Sequence, residues 1–576
     1  MESMVNLTTL IKKNWQLTPR ITPQVNSCLE EYPAYMRQIL YNRGCFDIEQ
    51  ARCFLEGQVP ESTDPFGILG MDLAVDRIFE AIQAGELIAV YGDYDVDGVT
   101  ATLLLIEVLN KMGASVINYI PNRYDEGYGL NNEAILSLSQ QGVRLVITVD
   151  CGDRSFAEAQ YASTLGIALI ISDHHQPTME LPVCIAMINP KQVGDRYPEK
   201  DLTGVGLAYK IAQALLLRKP MDGTRAEDWL DLVALGTICD LAPLRGENRA
   251  LIQKGLKFIQ KHKRQGIFSL CQTAGMRDRR VTAGDIGYIL GPRLNAAGRM
   301  DSAKAAFDLL ETTDPRKAGE LAQILETNNF DRQKKTREVQ ANSEKSLSET
   351  PQAQLIFVAS PEFMEGILGL AAARLVEVYF RPAIVAHQGE EMTRASCRSI
   401  PDFNITEALD QCADLLIRYG GHRAAAGFTV LNKNLPELMI RLRAIALEYL
   451  QGKDLQPILE YENELHLDQL HGENLRQILR DLAQLQPTGI GNPEPVFFSS
   501  NLEVTRVQVF GQEKNHLRLT LKDSKGVSYY GVAFRQGSWA EKKPDHIDLV
   551  YSLEINEFQG RQDIQLNIKD IRSVAQ

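Results

Sequence analysis

Three aspartates at alternate positions are the strongest chemical signal in this sequence. Asp93, Asp95 and Asp97 follow directly after the short apolar run 87–91. Carboxylates packed this closely repel one another, and a cation bound among them is the simplest way to stabilise the cluster. The spacing therefore predicts a divalent metal site at the end of a strand.

Two other interpretations apply to this segment taken alone. The same spacing opens an EF-hand calcium loop, which needs a ligand at its ninth position and a glutamate at its twelfth. Here the ninth position offers no ligand, Leu104 stands at the twelfth, and an apolar strand precedes the aspartates. The calcium-loop interpretation is therefore disfavoured, which leaves a solvated acidic turn as the other alternative.

Further ligand groups follow later apolar runs in the same way. Asp150 comes after one such run, Asp173, His174 and His175 come after the next, and Asp240 comes after a longer one. In an open parallel sheet, ligands bind outside the carboxyl ends of the strands. We therefore expect these side chains to meet at one edge of a sheet.

Alternating strands and helices support this expectation between about residues 70 and 245. Such alternation predicts an α/β fold, a mainly parallel sheet with helices on both faces. Strands are predicted at 87–91, 116–120, 144–149, 168–172 and 184–188. Helices are predicted at 72–84, 98–112, 131–141, 154–165 and 204–218.

The predicted ligand set combines five carboxylates with one imidazole: Asp93, Asp95, Asp97, Asp150, His174 and Asp240. Oxygen ligands with one imidazole suit manganese or magnesium better than zinc. Five carboxylates would be too negative around one ion, but they balance two ions that share a bridging carboxylate. Two such ions serve in-line attack on a phosphate, so the residues predict phosphoester hydrolysis. Taken alone, the two histidines could equally be structural loop residues.

A phosphate also needs cations or backbone N–H groups beyond the metals. The candidates are Arg123, Arg293, Arg299, Ser396, Arg398, Gly420, Gly421 and His422. Each arginine alone could instead be a surface or salt-bridge residue, and His422 alone could be an ordinary loop histidine.

A lead segment and a connector flank the first α/β region. Residues 1–65 predict a short helical lead, for which packing on the first lobe is the simplest expectation. Residues 301–350 predict a helical connector, because one Gly and no Pro occur between Arg316 and Ser348. Such a helix would span about 50 Å at 1.5 Å per residue.

A second α/β block is predicted over about 353–450, with strands near 354–359 and 383–386 and helices near 366–379 and 404–419. Beyond about 455, five short strands predict a small barrel such as an OB-fold. These strands are expected at 504–510, 516–521, 527–534, 547–554 and 563–568.

Composition sets broad limits on the 576 residues. The apolar share of 44% and the charged share of 23% are ordinary for a soluble globular protein, and neither a membrane-spanning run nor a secretory signal is expected. Nine scattered cysteines without a CxxC pair suit free thiols in a reducing cytoplasm. The net charge of −13 argues mildly against a large nucleic-acid footprint but allows a local basic groove.

Six motifs together resemble the DHH phosphoesterase superfamily and, within it, the RecJ single-strand-specific exonucleases. The resemblance covers most of the chain, from about residue 65 to its end. The motifs lie at 91–98, 149–152, 173–175 (the Asp-His-His signature), 236–240, 294–299 and 420–427.

The resemblance implies a parallel-sheet DHH lobe and a smaller DHH-associated (DHHA1) lobe, joined by a long helix and followed by an OB-like barrel. The implied domains are 66–300 for the DHH lobe, 351–452 for the DHHA1 lobe and 453–576 for the OB-fold. It also implies a cytoplasmic 5′→3′ exonuclease that acts on single-stranded DNA in recombination and repair and releases mononucleotides. Manganese or magnesium would be the cofactor, and single-strand binding protein and a RecQ-type helicase would be partners.

Residue roles carry over on the matching motifs. Asp150 would bridge two ions, with Asp93 and Asp95 on one ion and Asp97, His174 and Asp240 on the other. His175 would lie just outside the ligands or touch the scissile phosphate. The 5′-phosphate region would contact Arg123, Arg299, Ser396 and Arg398, and the reacting nucleotide would contact His422 beside Gly420 and Gly421.

Two alternatives stay open. One is a DHH phosphodiesterase that acts on short RNA or cyclic dinucleotides, although such enzymes are usually shorter and have two lobes. The other is a non-enzymatic replication scaffold that has lost its metal ligands. The complete ligand set argues against the scaffold, and the block beyond residue 455 argues for DNA.

Overall fold

The structure is a computed structural model that describes residues 12–574, except 62, 124, 262–263, 278, 349–352, 512–513, 524, 543 and 559–560. Across this part of the chain, the helices are all too short or too polar to cross a membrane. All nine cysteines are free thiols.

The N-terminal segment consists of a short strand and three helices: β1 (Asn14–Leu17), α1 (Pro23–Cys28), α2 (Ala34–Asn42) and α3 (Ile48–Glu56). The ends of α3 follow from its sequence. Asp47 caps its first turn by accepting a hydrogen bond from the Gln50 amide, and Gly57 ends it in the left-handed conformation.

The first lobe is built on a five-stranded parallel sheet. Its strands are β2 (Leu87–Gly92), β3 (Ser115–Tyr119), β4 (Val143–Val149), β5 (Ala168–Ser172) and β6 (Ala186–Ile188). The order across the sheet is β3-β2-β4-β5-β6. All five predicted strands are confirmed with small differences at their ends, because their near-continuous apolar runs suit a sheet that is covered on both faces.

Helices cover both faces of this sheet. The predicted helices correspond to α4 (Met71–Ala84), α5 (Val96–Lys111), α6 (Asn132–Gln140), α7 (Phe156–Thr164) and α8 (Gly204–Arg218). The lobe continues with α9 (Leu230–Cys239), α10 (Gly246–Ile259), α11 (Gln265–Thr273), α12 (Ala283–Asp285), α13 (Gly291–Met300) and α14 (Lys304–Glu311). A π-helical turn, Ile286–Leu290, leads into α13.

The apolar run before Asp240 corrects one expectation. It resembles one more buried strand in the sequence, but the structure places Asp240 at the end of helix α9. A helix that is apolar all round is buried on every side, as α9 is. Periodicity alone does not separate such a helix from a buried strand.

A single long helix, α15 (Pro315–Ser348), joins the two lobes. Its 34 residues correspond to about 50 Å at 1.5 Å per residue. The helix begins at a proline, and Asp314 accepts a hydrogen bond from the Arg316 amide in its first turn. The predicted connector over 301–350 thus contains this long helix, preceded by the separate short helix α14.

The second lobe is a mixed five-stranded sheet with helices on both faces. Its strands are β7 (Ile356–Ser360), β8 (Ala383–Gln388), β9 (Met392–Arg398), β10 (Leu416–His422) and β11 (Ala425–Leu431), in the order β10-β11-β9-β8-β7. Its helices are α16 (Leu368–Tyr379), α17 (Ile405–Asp410) and α18 (Leu435–Leu450).

The expected helix over 404–419 is wrong in its second half. Helix α17 ends at Asp410, and the chain from Leu416 to His422 is the edge strand β10. Ile417 and Tyr419 favour an extended backbone, and two successive glycines disfavour a helix. The glycine-rich motif therefore begins at a sheet edge rather than in a loop after a helix.

The C-terminal unit is a closed five-stranded barrel. Two short strands and a helix precede it: β12 (Ile458–Tyr461), β13 (Asn463–Glu464) and α19 (Gly472–Gln484). The barrel strands are β14 (Phe497–Phe510), β15 (His516–Lys522), β16 (Ser528–Ala533), β17 (His546–Phe558) and β18 (Arg561–Ser573). The order β14-β15-β16-β18-β17 closes because β17 also pairs with β14. This confirms the predicted barrel and, with the two lobes, the predicted fold class.

The N-terminal segment packs mainly on this barrel unit. Strand β1 pairs in parallel with β12, and Leu29, Met36 and Leu40 share one hydrophobic core with Phe497 and Leu519. The simplest expectation for residues 1–65, packing on the first lobe, is therefore wrong for the described residues 14–56, while residues 1–11 lie outside the described part of the chain. Hydrophobic periodicity gives the face that a helix buries but not its partner, which here lies more than 400 residues away in the sequence.

Arg249 on α10 joins the first lobe to the N-terminal segment and to the C-terminal unit. Its side chain is buried, and its guanidinium lies 4.1 Å from the ring centre of Phe54. Its N–H groups donate to five backbone carbonyls, those of Phe54, Gln484, Leu485, Gln486 and Pro487. Burial lowers the pKa of Arg249 to about 10, so the side chain is still charged at neutral pH.

We predict that Arg249→Ala lowers the free energy of unfolding by roughly 3 kcal/mol, because buried carbonyls lose a charged donor. Urea unfolding measures this change, and Lys257→Ala, at an exposed position on the same helix, is the control. Equal unfolding free energies for the two variants would contradict the role of Arg249.

Candidate metal centre

Strand order explains why the predicted ligands meet. Strands β2, β4 and β5 are parallel neighbours, so their carboxyl ends lie side by side. Asp93 follows β2, Asp150 follows β4 and Asp173 follows β5. The three sequence motifs therefore converge on one sheet edge, as the pattern predicts.

The second and third aspartates of the triplet are fixed by helix N-termini. Asp95 caps α5 and accepts hydrogen bonds from the amides of Asp97 (2.9 Å) and Gly98 (3.1 Å). Asp97 is buried and accepts from the amides of Gly204 (2.6 Å) and Val205 (2.9 Å) at the start of α8. Amide donors at a helix N-terminus favour a carboxylate, so both side chains are held in place.

Two glycines allow these elements to approach closely. A Cβ atom at Gly98 would lie 2.5 Å from the Asp93 carbonyl oxygen, and one at Gly204 would lie 2.6 Å from the Asp150 Cβ. Neither position has room for a side chain without moving a predicted ligand. The site thus depends on glycines from two different helices.

Asp150 has an unusual backbone conformation. Its φ is +62°, a left-handed value that is uncommon for residues other than glycine. The Asp150 amide donates to the Ser172 carbonyl at 3.0 Å, and the Asp150 carbonyl accepts from the Tyr128 hydroxyl at 3.1 Å. Such strain persists when the surroundings fix it, and it is common at functional sites.

Asp173 positions both histidines. Its Oδ1 accepts from the amides of His174 (2.8 Å) and His175 (3.1 Å) and lies 2.8 Å from Nδ1 of His175. Although burial opposes ionisation, the hydrogen bond and charge of His175 hold the pKa of Asp173 below its usual value. Asp173 is therefore an ionised carboxylate that orients the two rings.

The described residues form three groups whose ligand atoms lie within 4.8 Å of one another. They are Asp93 with Asp95 and Asp150; Asp97 with His174 and Asp240; and Asp150 with His174 and His175. Within these groups, the His174 Nε2 atom lies 3.0 Å from Asp150 and 3.7 Å from Asp240. The structure thus brings together all six residues of the predicted ligand set, with Asp150 adjoining both of the predicted metal positions.

The electrostatics of the cluster fit cations. Burial and then neighbouring carboxylates raise the pKa values of Asp93, Asp97 and Asp150 well above normal. Burial and Asp95 raise the pKa of Asp240 to about 7. The Oδ1 atom of Asp93 is buried and has no hydrogen-bond partner among the described residues. Divalent ions would relieve the repulsion and supply this oxygen with a partner.

The two histidines differ in charge. Burial and then the charge of His175 lower the pKa of His174 to about 3, so His174 is a neutral imidazole that can ligate a metal. Burial opposes protonation of His175, but the hydrogen bond to Asp173 raises its pKa to about 9. His175 can therefore donate a proton or a hydrogen bond to an anion next to the metals.

A cationic cavity of about 320 Å³ lies between the lobes. It brings together four of the residues predicted to bind phosphate: Arg123, Arg299, Ser396 and Arg398. Burial, then Arg123 and Arg332, lower the pKa of Arg299 to about 10, which reflects the concentration of positive charge. Such a cavity suits a phosphate group.

The 3₁₀ turn Glu365–Ile367 and the first turn of helix α16 also line this cavity, through Gly366 and through Leu368 and Gly369. A Cβ atom at Gly369 would lie 3.0 Å from both Ser396 Oγ and Arg398 Nη2. Because the N-terminus of a helix favours an anion, the start of α16 adds to the positive character of the cavity.

The glycine-rich motif lies on the same sheet as this cavity. Ser396 on β9 pairs with Gly427 on β11, which in turn pairs with Gly420 on β10. In the same way, Arg398 pairs with Ala425, which pairs with His422. Residues in register share a face, so Ser396, Arg398, Gly420 and His422 lie on one face, and Gly421 points to the other. His422 is exposed and lies two strands, or about 10 Å, from Arg398. Among the described residues, no hydrogen bond or ion pair joins the His422 side chain to the aspartates.

Arg293 has a structural role instead. It forms an ion pair with Glu326 on α15 and donates to the Ile289 carbonyl at 2.7 Å. It is absent from the described lining of the cationic cavity. Of Arg293 and Arg299, only Arg299 is among the described residues that line that cavity.

Several supporting residues were not predicted as site residues: Tyr128, Asp173, Asn295, Gly366 and Gly369. Asp173 lies inside a motif that the sequence displays and Tyr128 does not, yet the orienting contacts of both depend on the folded loops. Asn295 lies in the motif at 294–299, but it accepts from the Val96 amide at 3.2 Å across 199 residues of sequence, and the motif does not indicate that contact.

Fold and site define the chain as a DHH-type phosphoesterase. The family described as "DHH family, N-terminal domain" matches residues 87–237, and the "RecJ OB domain" matches residues 462–570. The chain is 36% identical over 570 residues to the single-stranded-DNA-specific exonuclease RecJ of Bacillus subtilis, covering 97% of this chain and 71% of that protein. The chain belongs to the RecJ family of single-stranded-DNA-specific exonucleases.

Two further relatives support this membership. The single-stranded-DNA-specific exonuclease RecJ of Escherichia coli is 31% identical, covering 97% of this chain and 100% of that protein. The crystal structure of RecJ in complex with Mn²⁺ from Thermus thermophilus is 30% identical, with a TM-score of 0.83, covering 98% of this chain and 80% of that one. The likeness therefore extends over all three units.

We predict that Gly204→Ala lowers manganese affinity about tenfold or more, because the new methyl group displaces Asp150 and Asp97. Electron paramagnetic resonance of free Mn²⁺ in a titration measures the affinity. Gly206→Ala is the matched control, since its Cβ would lie 3.4 Å from its nearest neighbour, in Leu202. Equal affinity in both variants would show that the close packing of α8 does not support the metal centre.

Proposed function

We propose that this protein is a metal-dependent exonuclease that degrades single-stranded DNA from its 5′ end and releases mononucleotides. The observation that carries the proposal is the pair of ligand groups that adjoin Asp150, next to a cationic cavity between two lobes. The family membership gives the substrate class, since the named relatives are single-stranded-DNA-specific exonucleases.

Two divalent ions, manganese or magnesium, are the cofactors. Asp93 and Asp95 would hold one ion, Asp97, His174 and Asp240 would hold the other, and Asp150 would serve both. Bound ions would supply an activated water molecule and neutralise charge that develops on the phosphate. The grouping of ligand atoms within 4.8 Å and the neutral state of His174 support this assignment.

His175 serves the reacting phosphate without being a principal ligand. Asp173 binds its Nδ1 at 2.8 Å, so the ring is oriented and its Nε2–H is available to an oxygen of the substrate. The charge on His175 then stabilises an oxygen that becomes more negative during hydrolysis. The Nδ1 atom of His175 lies 4.0 Å from Oδ1 of Asp150, which supports a role next to the metal centre.

The cationic cavity gives the enzyme its end recognition. Arg123, Arg299, Ser396 and Arg398 bind the 5′-terminal phosphate, helped by the N-terminus of α16. His422, with Gly420 and Gly421, contacts the nucleotide beyond. A terminal phosphate carries more negative charge than an internal diester, so a cluster of arginines prefers a strand end.

Each domain that the family resemblance implies has its own role. Residues 66–300 carry the metals, 301–350 connect the lobes, 351–452 bind the strand end, and the barrel within 453–576 holds the trailing strand. A cytoplasmic location is consistent with nine free cysteines. Single-strand binding protein and a RecQ-type helicase stay predictions that rest on the family resemblance.

We predict that the purified protein with manganese shortens a 5′-phosphorylated single strand and that Asp150→Ala abolishes this, because both ligand groups lose a carboxylate. Product length on strands labelled at either end measures polarity and product size. Asp222→Ala, at an exposed position of the same lobe, is the control. A wild-type enzyme that cleaves only dinucleotides would favour the small-substrate phosphodiesterase, and full activity in Asp150→Ala would contradict the metal assignment.

A second prediction concerns the strand end. Arg299→Ala should reduce the preference for a 5′-phosphate over a 5′-hydroxyl about tenfold or more, since a charged hydrogen bond to phosphate is lost. The ratio of kcat/KM values on the two strands measures the preference. Arg441→Ala, whose side chain pairs with Asp414 and Glu437 on the surface, should keep the wild-type ratio. An unchanged ratio in Arg299→Ala would place the terminal phosphate elsewhere.

A further inference from the structure

The turn that follows strand β6 contacts the backbone of both histidines next to the metal centre. Asn189 comes directly after β6, and Lys191 comes two residues later. Lys191 Nζ donates to the His174 carbonyl at 2.6 Å, and Asn189 Nδ2 donates to the His175 carbonyl at 2.9 Å. None of the predicted metal or phosphate ligands lies in this turn, so it serves the site through the backbone of other residues.

These two donors complete the hydrogen bonds of the histidine segment. Asp173 accepts from the amides of His174 and His175, and the turn bonds the carbonyls of the same two residues. Backbone groups away from water need partners, and here side chains supply them instead of a sheet or a helix. Each imidazole is only two rotatable bonds from its backbone, so a fixed backbone limits where each ring can point.

The turn is itself held firmly. Asn189 is fully buried, and its Oδ1 accepts from the Lys191 amide at 2.9 Å, which forms an Asx turn. The Asn189 carbonyl accepts from the Gln192 amide at 3.0 Å, and Lys200 Nζ donates to the Pro190 carbonyl at 2.6 Å. A turn with this many internal bonds can fix the segment that packs against it.

Lys191 also brings a positive charge close to the ligand group of Asp97, His174 and Asp240. Burial and then Asp95 raise the pKa of Asp240, and the charge of Lys191 partly opposes them. An ammonium group near a metal position repels a divalent ion, so the charge of Lys191 alone would weaken metal binding.

The hydrogen bond from Lys191 has the opposite effect, because it holds the residue whose imidazole would ligate the metal. Loss of the charge would strengthen metal binding, whereas loss of the hydrogen bond would weaken it. Removal of the lysine side chain therefore shows by its sign which of the two effects is larger.

We propose that Lys191 and Asn189 are positioning residues that hold His174 for metal binding and His175 for contact with the phosphate. The proposal rests on the proposed metal-dependent function and adds the turn after β6 to the parts of the chain that support it. Groups that orient metal-binding histidines usually bond the ring itself. Lys191 and Asn189 act instead through backbone carbonyls and need not touch metal or DNA.

The main test is Lys191→Met, which removes the donor and the charge but keeps a long side chain. It should weaken the binding of one of two manganese ions about tenfold, as expected for a residue that orients a metal-binding histidine. Lys191→Arg, which keeps a charged donor, should recover most of this affinity. Lys219→Met, at an exposed position of the same lobe, controls for the loss of one positive charge. Electron paramagnetic resonance of free Mn²⁺ measures the affinity of each full-length variant.

Asn189→Ala tests the contact with His175 independently. It should lower kcat at saturating manganese about tenfold and leave the KM for a 5′-phosphorylated single strand unchanged, because His175 loses its position while the strand-binding residues stay. Circular dichroism shows whether the variant is folded, and if it is not, the Lys191 variants decide the proposal. An unchanged kcat in folded Asn189→Ala would contradict the role of this residue.

Three results for Lys191→Met would overturn the proposal. Tighter manganese binding than in the wild type would show that charge governs the effect, and binding equal to that of Lys219→Met would show that the contact holds nothing. Unchanged manganese binding with weaker binding of single-stranded DNA, measured by fluorescence anisotropy in EDTA, would make Lys191 a substrate contact instead. A wild-type protein that binds no manganese would refute the metal-dependent function itself, and this proposal with it.

Discussion

The repulsion between buried carboxylates at one sheet edge is the constraint on which the rest of the structure depends. Asp93, Asp97 and Asp150 are each less than a twentieth exposed, and their charges destabilise one another unless cations lie among them. Binding of divalent ions by the folded chain therefore also stabilises the fold. Stability and catalysis share a single electrostatic requirement.

The scaffold keeps these charges together with rigid elements rather than flexible loops. Parallel strands align three of the motifs, and the amides at the start of α8 hold Asp97. Asp173 plays a different part, because it supports both histidines while its own charge is offset by His175. The arrangement separates the carboxylates that can bind metal from Asp173, which orients the two histidines, as carboxylates that hydrogen-bond to metal-binding histidines do in many metal sites.

The C-terminal barrel and the N-terminal segment show how distant parts of the chain serve this centre. They share one core, and Arg249 attaches that core to α10 of the metal-bearing lobe. The long helix α15 attaches the second lobe to the first, and the cationic cavity lies between these two lobes. The distance from the carboxylate cluster to the cationic cavity is thus set by packing between the lobes, not by any single motif.

Much of this could be predicted from the sequence because strand ends and ligand motifs coincide. Asp93, Asp150 and His174 all follow short apolar runs, and such runs identify a parallel sheet. The structure brings Asp240 close to Asp97 and His174, but from the end of a helix rather than the end of a strand. A buried apolar helix and a buried strand have the same composition, so the sequence alone does not separate them.

Contacts outside each segment explain the other failures. Residues 14–56 find their partner in a remote part of the chain, and the strand at 416–422 is fixed by its pairing with the next strand, β11, rather than by its own periodicity. Local periodicity contains no information about such partners. The position of Asp150 beside both ligand groups depends on the sheet order and on its left-handed backbone, neither of which a motif alone provides.

Anomalous scattering from crystals soaked in manganese tests the central claim most directly. The account predicts two peaks per chain, one beside Asp93 and Asp95 and one beside His174 and Asp240, with Asp150 between them. A single peak, or two peaks that Asp150 does not separate, would contradict the account of a carboxylate cluster built around two ions.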